Sequence, residues 1–180
     1  GSNGKTTTTS LAAEMIRESG ERVHLGGNIG GSLLDSVEEM CPDDVVVLEL
    51  SSFQLDHLRV LDWSPTAAAI LNLTPNHLDR HGTMENYVAA KREIFAHQAA
   101  GDWKILNEED SMVMSLAAAA PSRNLLFGTI PGKERFRVTG PEGERVFDAT
   151  GRRIPGRFNL ANMAAAAALS LAATGGGDRW

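Results

Sequence analysis

The sequence has 180 residues, of which 42% are hydrophobic, and a formal net charge of −6 at pH 7. A chain of this length can bury the core of one α/β domain, so we expect a single domain. Acidic residues exceed basic residues and no basic block occurs. This balance argues against a nucleic-acid-binding surface and favours a small-molecule partner.

Cysteine use and hydropathy indicate the compartment. The one cysteine, Cys41, excludes an internal disulfide, and its apolar neighbours predict a buried structural thiol rather than a nucleophile. No stretch is long and apolar enough to span a bilayer, and no cleavable signal is visible. We therefore expect a cytoplasmic protein without a membrane partner.

The chain begins with Gly-Ser-Asn-Gly-Lys-Thr-Thr, the second half of the phosphate-loop pattern G-x-x-x-x-G-K-[ST]. Glycines let backbone N–H groups turn onto phosphate oxygens, a lysine can reach the β- and γ-phosphates, and the next hydroxyl can hold Mg²⁺. The pattern predicts ATP binding by Gly1, Asn3, Gly4, Lys5, Thr6 and Thr7. The alternative is a glycine turn that caps a threonine-rich helix, because short Gly-Lys-Thr strings also arise by chance. Since the sequence starts inside the pattern and lacks an initiator Met, we expect a fragment without the strand that feeds the loop.

Apolar spacing predicts the first elements. They are a helix over 5–19, a strand over 22–25, a helix over 32–40, and strands over 45–50 and 67–73. The run 45–50 is typical of a parallel strand covered on both faces. Glu49 interrupts this run. Its carboxylate either lies at a solvated rim or points at a cation, and we favour the cation.

The second half predicts helices over 84–100, 110–120 and 159–173 and strands over 102–106 and 124–128. Tyr87, Lys91 and Phe95 share one face of the first of these helices. Region 133–154 has the alternation of an antiparallel hairpin or meander. We expect an α/β fold with a P-loop-type, mostly parallel sheet flanked by helices, formed by residues 1–174, and a linker that starts at 175–180.

Polar clusters follow the apolar runs at the phosphate loop, 26–31, 49–52 and 72–81. Ligands of open parallel sheets bind outside the carboxyl ends of the strands, so we expect the four clusters to meet around the triphosphate. His77 is predicted to bind metal or substrate, rather than to bond a loop carbonyl. His81 is predicted to be structural and to cap the turn at 82–83.

These motifs resemble those of the central ATP-binding domain of the Mur ligases, over nearly all 180 residues. The resemblance rests on the phosphate loop and on Gly-Asn-Ile-Gly (27–30), Asn-His-Leu-Asp-Arg-His-Gly (76–82) and Tyr-Val-Ala-Ala-Lys (87–91). Glu-Leu-Ser-Ser-Phe-Gln-Leu (49–55) is most similar to the branch that adds D-glutamate. The chain departs from that branch at Phe158, where His is common, and at Asn76, where Asp is frequent.

The resemblance implies a reaction and a set of site residues. The γ-phosphate of ATP passes to the carboxylate of UDP-N-acetylmuramoyl-L-alanine, and the amine of D-glutamate attacks the acyl phosphate, in peptidoglycan precursor synthesis. The implied catalytic residues are Lys5, His77 and Lys91. The implied Mg²⁺ ligands are Thr6 and Glu49 for one ion, and His77 and a carbamylated Lys91 for the second. Asn28, Ser51, Gln54 and His77 match substrate-binding positions, and Asn159 and Asn162 match positions near the nucleotide.

Two other functions remain open on the sequence. One is another ligase of the superfamily, of the Mur or folylpolyglutamate type, against which Phe53 and Gln54 after the serine pair argue. The other is a nucleotide-binding regulatory module with slow ATPase activity. We expect the isolated fragment to be inactive and the full-length protein to be monomeric.

Overall fold

The computed structural model describes residues 3–30, 32–58, 60–75 and 81–176. The predictions for Gly1 and His77 concern residues outside these ranges. The elements in chain order are α1 (Lys5–Glu18), β1 (Val23–Gly27), a 3₁₀ helix (Leu34–Glu39), β2 (Val45–Glu49), α2 (Ser52–Leu58), β3 (Ala67–Ile70), α3 (Met84–Arg92), a 3₁₀ turn (Glu93–Phe95), β4 (Trp103–Asn107), α4 (Ser111–Met114), β5 (Arg123–Thr129), β6 (Arg135–Gly140), β7 (Gly143–Asp148) and α5 (Arg157–Ala173). None of the helices in these ranges could cross a membrane, given its length and polarity.

The strands form two sheets. β1 and β2 pair in parallel, and the second sheet has the order β3-β4-β5-β6-β7. β3, β4 and β5 are parallel, whereas β6 and β7 join them in antiparallel pairs. This arrangement confirms the mostly parallel α/β fold and the antiparallel hairpin predicted within 133–154.

Helix α5 covers one face of the five-stranded sheet. Its alanines 164–168 are buried, and all of them except Ala166 pack in one cluster with Leu125, Phe127 and Val138 of the sheet. A methyl side chain lets a helix backbone approach a sheet closely, and it loses no rotamer freedom on burial. The alanine-rich helix therefore packs closely against the sheet.

Helix α3 covers the opposite face. Tyr87 and Phe95 are fully buried with Ile70, Leu106 and Val113. Thr83 starts this helix, because its side-chain oxygen accepts a hydrogen bond from the Asn86 N–H. Lys91 lies on the same buried face, as the spacing predicted.

Three predicted helices are shorter than expected. α3 with its 3₁₀ turn ends at Phe95 rather than near 100, and α4 ends at Met114 rather than near 120. The predicted helix 32–40 is a 3₁₀ helix with no buried residue, so no apolar stripe holds it in α geometry.

Strand β2 is not covered on both faces, which corrects the prediction for 45–50. Val46 is 46% exposed and Leu48 is 38% exposed. The exposed residues alternate along β2 with residues that are half-buried or buried, so one face of the strand is covered and the other faces solvent.

Cys41 is exposed, so the predicted buried thiol is wrong. It lies in the turn between the 3₁₀ helix and β2, and its backbone N–H donates to Asp44 Oδ2 at 3.0 Å. Because the preceding 3₁₀ helix buries no residue, this whole segment stays at the surface.

Asp44 joins this turn to β1. Its Oδ2 lies 2.7 Å from His24 Nε2 and 3.6 Å from Arg22 Nε, and it accepts the Cys41 N–H. The hydrogen bond from Cys41 and that from His24 hold the pKa of the Asp44 carboxyl below its usual value. The ionised carboxylate therefore stabilises the fold.

We expect Asp44→Asn to lower the free energy of unfolding at pH 7 and to have a smaller effect at low pH. A depressed carboxyl pKa contributes stability above the ordinary pKa, and this contribution is lost as the pH falls through the folded-state value. Denaturant titrations of both proteins between pH 7 and pH 3 measure it. The matched control is Asp43→Asn, because Asp43 is exposed in the same turn. An effect of Asp44→Asn that is independent of pH would contradict the assignment.

Candidate functional site

Glu49, at the end of β2, joins three segments of the chain. It is 3% exposed, its Oε2 accepts a hydrogen bond from the Thr6 hydroxyl at 2.7 Å, and its Oε1 accepts one from Asn28 Nδ2 at 3.1 Å. The Asn28 backbone N–H also donates to the Glu49 carbonyl at 2.8 Å. Three of the four predicted polar clusters therefore meet at the carboxyl end of β2.

Gly27 permits this close approach. Its φ is 94°, and a Cβ at this position would lie 2.2 Å from the Glu49 carbonyl oxygen. The glycines of 26–31 are visible in the sequence, but only the structure shows that the contact with β2 requires Gly27.

The residues fit a Mg²⁺ ion. A buried carboxylate is costly unless positive charge or hydrogen bonds compensate it. Glu49 and Thr6 offer a carboxylate and a hydroxyl oxygen 2.7 Å apart, the hard ligand type that Mg²⁺ prefers. The hydroxyl donates to the carboxylate and keeps a lone pair for a metal.

Lys5 and Lys91 lie close to this pair. Together with Glu49 they line one cavity of about 590 Å³. Lys91 is 3% exposed, and its Nζ lies 5.5 Å from the centre of the Tyr87 ring. Burial, and then the charge of Lys5, lower the pKa of Lys91 to about 8. The structure thus places two lysines and one buried carboxylate around the same cavity.

A chain of amide hydrogen bonds connects the first turns of α1, just after the phosphate loop, to the start of α5. Asn162 Oδ1 accepts from the Thr8 hydroxyl at 3.4 Å, and Asn162 Nδ2 donates to Asn159 Oδ1 at 3.0 Å. Asn159 Nδ2 donates in turn to the Pro155 carbonyl at 2.6 Å. Both asparagines are largely buried, and Asn162 lies beside Gly4, so Asn162 supports the loop and Asn159 holds Asn162 in place. Direct contact of either residue with a nucleotide stays a prediction.

Asn72 is a loop-positioning residue that the sequence analysis did not single out. Its Oδ1 accepts the Asn3 backbone N–H at 2.9 Å, and its Nδ2 donates to the Asn3 carbonyl at 3.0 Å. This reciprocal pair fixes the loop beside the end of β3. The available signal was the position of Asn72 at the start of a polar cluster that follows an apolar run.

Ser51 and Gln54, the predicted substrate residues, form a capping box at the start of α2. Gln54 Oε1 accepts from the Ser51 backbone N–H and hydroxyl, each at 2.9 Å, and Ser51 Oγ accepts the Gln54 N–H at 3.3 Å. The capping box explains this residue spacing without a ligand. Substrate contact by Ser51, Gln54 and Asn28 stays a prediction.

His81 contacts both α2 and α3. Its Nε2 lies 3.2 Å from Ser52 Oγ, and its ring stacks on Phe53 and meets the edge of Tyr87 at centroid distances of 6.2 and 5.3 Å. Its carbonyl accepts the Thr83 N–H at 2.9 Å, so it closes the turn before α3. These contacts agree with a structural role. In the ranges that the structure describes, no three His, Cys, Asp or Glu side chains gather as a metal site.

The mostly parallel sheet, its flanking helices and the glycine-lysine-threonine turn at the carboxyl ends of the strands define a P-loop-type α/β protein. Residues 1–170 match the family model of the Mur ligase middle domain. The chain therefore belongs to the Mur ligase family, which confirms the resemblance seen in its motifs.

Three curated relatives carry the name UDP-N-acetylmuramoylalanine--D-glutamate ligase. The chain is 43% identical to that of Pelotomaculum thermopropionicum, 43% to that of Symbiobacterium thermophilum and 41% to that of Clostridium botulinum. The alignments cover 96%, 93% and 92% of this chain and 39%, 39% and 37% of the relatives. The chain thus spans about two fifths of the length of these relatives.

Two solved structures share the fold. UDP-N-acetylmuramoyl-L-alanyl-D-glutamate--2,6-diaminopimelate ligase matches with a TM-score of 0.66 at 20% identity, over 96% of this chain and 44% of that one. MurF ligase from Thermotoga maritima, solved in complex with ADP, matches with a TM-score of 0.66 at 19% identity, over 92% and 42%. At these identities the comparison establishes the fold alone.

The contact between Gly4 and Asn162 predicts non-additive mutations. Gly4 has φ 80°, and an added Cβ would lie 2.2 Å from Asn162 Oδ1. We expect Gly4→Ala to destabilise the protein by about 2 kcal/mol or more, from backbone strain of about 1–2 kcal/mol plus the clash. In the background of Asn162→Ala, the same substitution should cost less, because the clash is gone. A double-mutant cycle in denaturant measures the coupling. Additive effects would show that Asn162 does not press on the loop.

Proposed function

We propose that this chain is the nucleotide- and metal-binding part of an ATP-dependent amide-forming ligase. The substrates proposed are ATP, UDP-N-acetylmuramoyl-L-alanine and D-glutamate, in peptidoglycan precursor synthesis. The observation that carries the proposal is the bond between the Thr6 hydroxyl and the buried Glu49 carboxylate, beside Lys5 and Lys91. The names of relatives at 41–43% identity support the choice of D-glutamate.

The residues of the loop suit a triphosphate. Helix α1 begins at Lys5, so the N–H groups of its first turn are available to phosphate oxygens. Gly4 precedes them in a left-handed conformation that a side chain would strain. Lys5 supplies a mobile ammonium for the β- and γ-phosphates, where charge is redistributed as the phosphoryl group leaves ADP.

The proposed reaction has two steps. A carboxylate oxygen of the acceptor attacks the γ-phosphorus of ATP, and ADP leaves. The amine of D-glutamate then attacks the acyl carbon, a proton is lost from nitrogen, and phosphate leaves. Thr6 and Glu49 would hold Mg²⁺, which when bound would offset negative charge on the phosphate oxygens.

Lys91 suits carbamylation better than service as an ammonium. Its pKa of about 8 leaves a larger share of neutral amine at pH 7 than an exposed lysine has. The amine nitrogen can attack the carbon of CO₂ and lose a proton, which yields a carbamate with two oxygens. That anion would remove the repulsion with Lys5 and supply hard ligands for a second Mg²⁺.

The remaining parts of the proposal concern the longer protein. We propose that residues 1–174 form the domain and that 175–180 start a linker. We propose His77 as a further metal and substrate ligand. We propose a monomeric protein in the cytoplasm whose other partners are the small-molecule substrates.

In a full-length ligase that carries this chain, we expect Lys5→Ala to reduce phosphate release by about 100-fold or more, because charge on the β- and γ-phosphates loses its partner. The assay measures phosphate with both acceptor and D-glutamate present and with each left out. Lys133→Ala, at an exposed site, is the control and should keep full activity. Phosphate release that needs neither acceptor nor D-glutamate would favour a slow regulatory ATPase instead.

Lys91 should carry a carbamate that can be seen without an activity assay. We expect chains equilibrated with carbon-13 bicarbonate near pH 8 to show a carbamate carbon by NMR. Lys91→Met should remove the signal, and Lys133→Met should keep it. In the full-length ligase, Lys91→Ala should lose activity and recover part of it with short-chain carboxylates. A carbamate signal that survives Lys91→Met would refute the assignment.

A further inference from the structure

Residues 71–73 follow strand β3 and lie beyond its pairing with β4. The last residue pair of the two strands is Ile70 with Leu106. Backbone N–H and C=O groups that lie beyond a ladder and away from water need other partners. The segment 71–73 therefore depends on side chains for its placement.

The side chains of this segment leave the alternation of the strand. Leu71 is buried in the cluster that contains α5, whereas Leu73 is buried in the cluster that contains α3. Residues i and i+2 of a regular strand lie on one face of a sheet, so the backbone turns at Asn72. Asn72 is the residue whose side chain bonds both backbone groups of Asn3.

Asn107, the last residue of β4, fixes the first part of the segment. Its Nδ2 donates to the Leu71 carbonyl at 2.9 Å, and its Oδ1 accepts the Glu109 N–H at 3.0 Å. These two contacts require a donor and an acceptor on one side chain. An amide supplies both, whereas an ionised carboxylate supplies acceptors alone.

Asp110 fixes the last part of the segment. Its Oδ2 accepts the Leu73 N–H at 2.9 Å, and its Oδ1 accepts the N–H groups of Met112 and Val113 at 3.0 and 3.1 Å. The bonds to Oδ1 cap α4, for which an asparagine would serve equally well. The bond to Leu73 requires a further acceptor, which accounts for a carboxylate at this position.

We call Asn107 and Asp110 the β4 clamp. The turn after β4 and the cap of α4 explain the contacts of the two Oδ1 atoms. They do not explain the contacts of Asn107 Nδ2 and Asp110 Oδ2, and both of these atoms bond the segment 71–73. The β4 clamp thus holds the backbone on either side of Asn72.

We propose that the β4 clamp positions the phosphate loop through Asn72. The clamp fixes the residues before and after Asn72, and Asn72 fixes Asn3, which lies one residue before Gly4 and two before Lys5. Asn107 and Asp110 are thus positioning residues. They set the place of the loop before a nucleotide binds, and they make β4 and α4 part of its support.

The effect on nucleotide binding rests on the proposed function, whereas the placement of Asn72 does not. The test uses a full-length ligase that carries this chain and two substitutions of opposite charge. Asp110→Asn keeps one oxygen, which can serve either α4 or Leu73 but not both. Asn107→Asp keeps an acceptor for the turn and loses the donor for the Leu71 carbonyl.

The matched control is Asp102→Asn at the amino end of β4. There Asp102 Oδ2 accepts the Ala99 N–H at 2.7 Å, so the control makes the same chemical change far along the strand from the loop. Where Asp110→Asn does not fold, Asp110→Ser keeps a cap oxygen and places no donor against the Leu73 N–H.

We expect both clamp variants to bind Mg-ATP about fivefold to tenfold more weakly, the equilibrium factor for one lost hydrogen bond. The KM for ATP should rise by a similar factor while kcat stays within about twofold, because the lost support acts on binding rather than on the chemical step. Asp102→Asn should leave both constants unchanged, even if it lowers the melting temperature. Calorimetry, steady-state kinetics and thermal melts measure these quantities.

A double-mutant cycle tests whether the effect passes through Asn72. In the background of Asn72→Ala, Asp110→Asn should no longer change the affinity for Mg-ATP, because the contact with the loop is already lost. Additive losses of affinity would overturn the proposal, since they would show that the clamp acts by another route.

Other results would also overturn it. Normal Mg-ATP affinity in both clamp variants would show that the loop needs no such support. Affinity changes of opposite sign in the two variants would show that charge, rather than placement, controls binding.

A ligase that fails to bind Mg-ATP before any substitution would count against the proposed nucleotide site alone. The clamp is then judged from the side-chain amide signals of Asn72 in nitrogen-15 NMR spectra, which Asn72→Ala identifies by their loss. These signals should shift in both clamp variants and stay in place in Asp102→Asn. Unchanged signals in the clamp variants would refute the clamp.

Discussion

The hydrogen bond from the Thr6 hydroxyl to Glu49 is the contact on which the site depends. It connects the first turn of α1 to the carboxyl end of β2, and Asn28 holds the other carboxylate oxygen. A buried carboxylate with both oxygens engaged has little freedom to turn, so its position relative to the loop is set before any ligand arrives. The pair is thus both a structural contact and a preformed oxygen site.

Amide side chains carry the rest of the loop's support. Asn72 bonds the backbone of Asn3 on one side, and Asn162 lies against Gly4 on the other. An asparagine offers a donor and an acceptor at once, so it can satisfy irregular backbone without adding charge. Neutral support of this kind leaves the charge of the site to Lys5, Lys91 and Glu49.

Two lysines close to one carboxylate give the site an excess of positive charge. Burial and mutual repulsion weaken proton binding by Lys91, whose pKa falls to about 8. Repulsion of this kind costs free energy, and it is relieved when an anion binds or when one amine becomes a carbamate. The repulsion between Lys5 and Lys91 lowers the stability of the fold, which is consistent with two lysines placed to bind phosphate groups.

The sequence by itself determined the family, the α/β class, the antiparallel hairpin and the meeting of Thr6, Asn28 and Glu49, because motif spacing and apolar period are local properties. It did not determine that Cys41 is exposed, that α3 and α4 stop early, or that Val46 and Leu48 are exposed on one face of β2. An apolar run looks the same whether a neighbouring strand is present or not, so burial and pairing were decided only by the tertiary structure. Ser51 and Gln54 illustrate the same point, because their spacing fits both the start of a helix and a ligand-binding pair. Only the hydrogen bonds in the structure show that the two residues form a capping box.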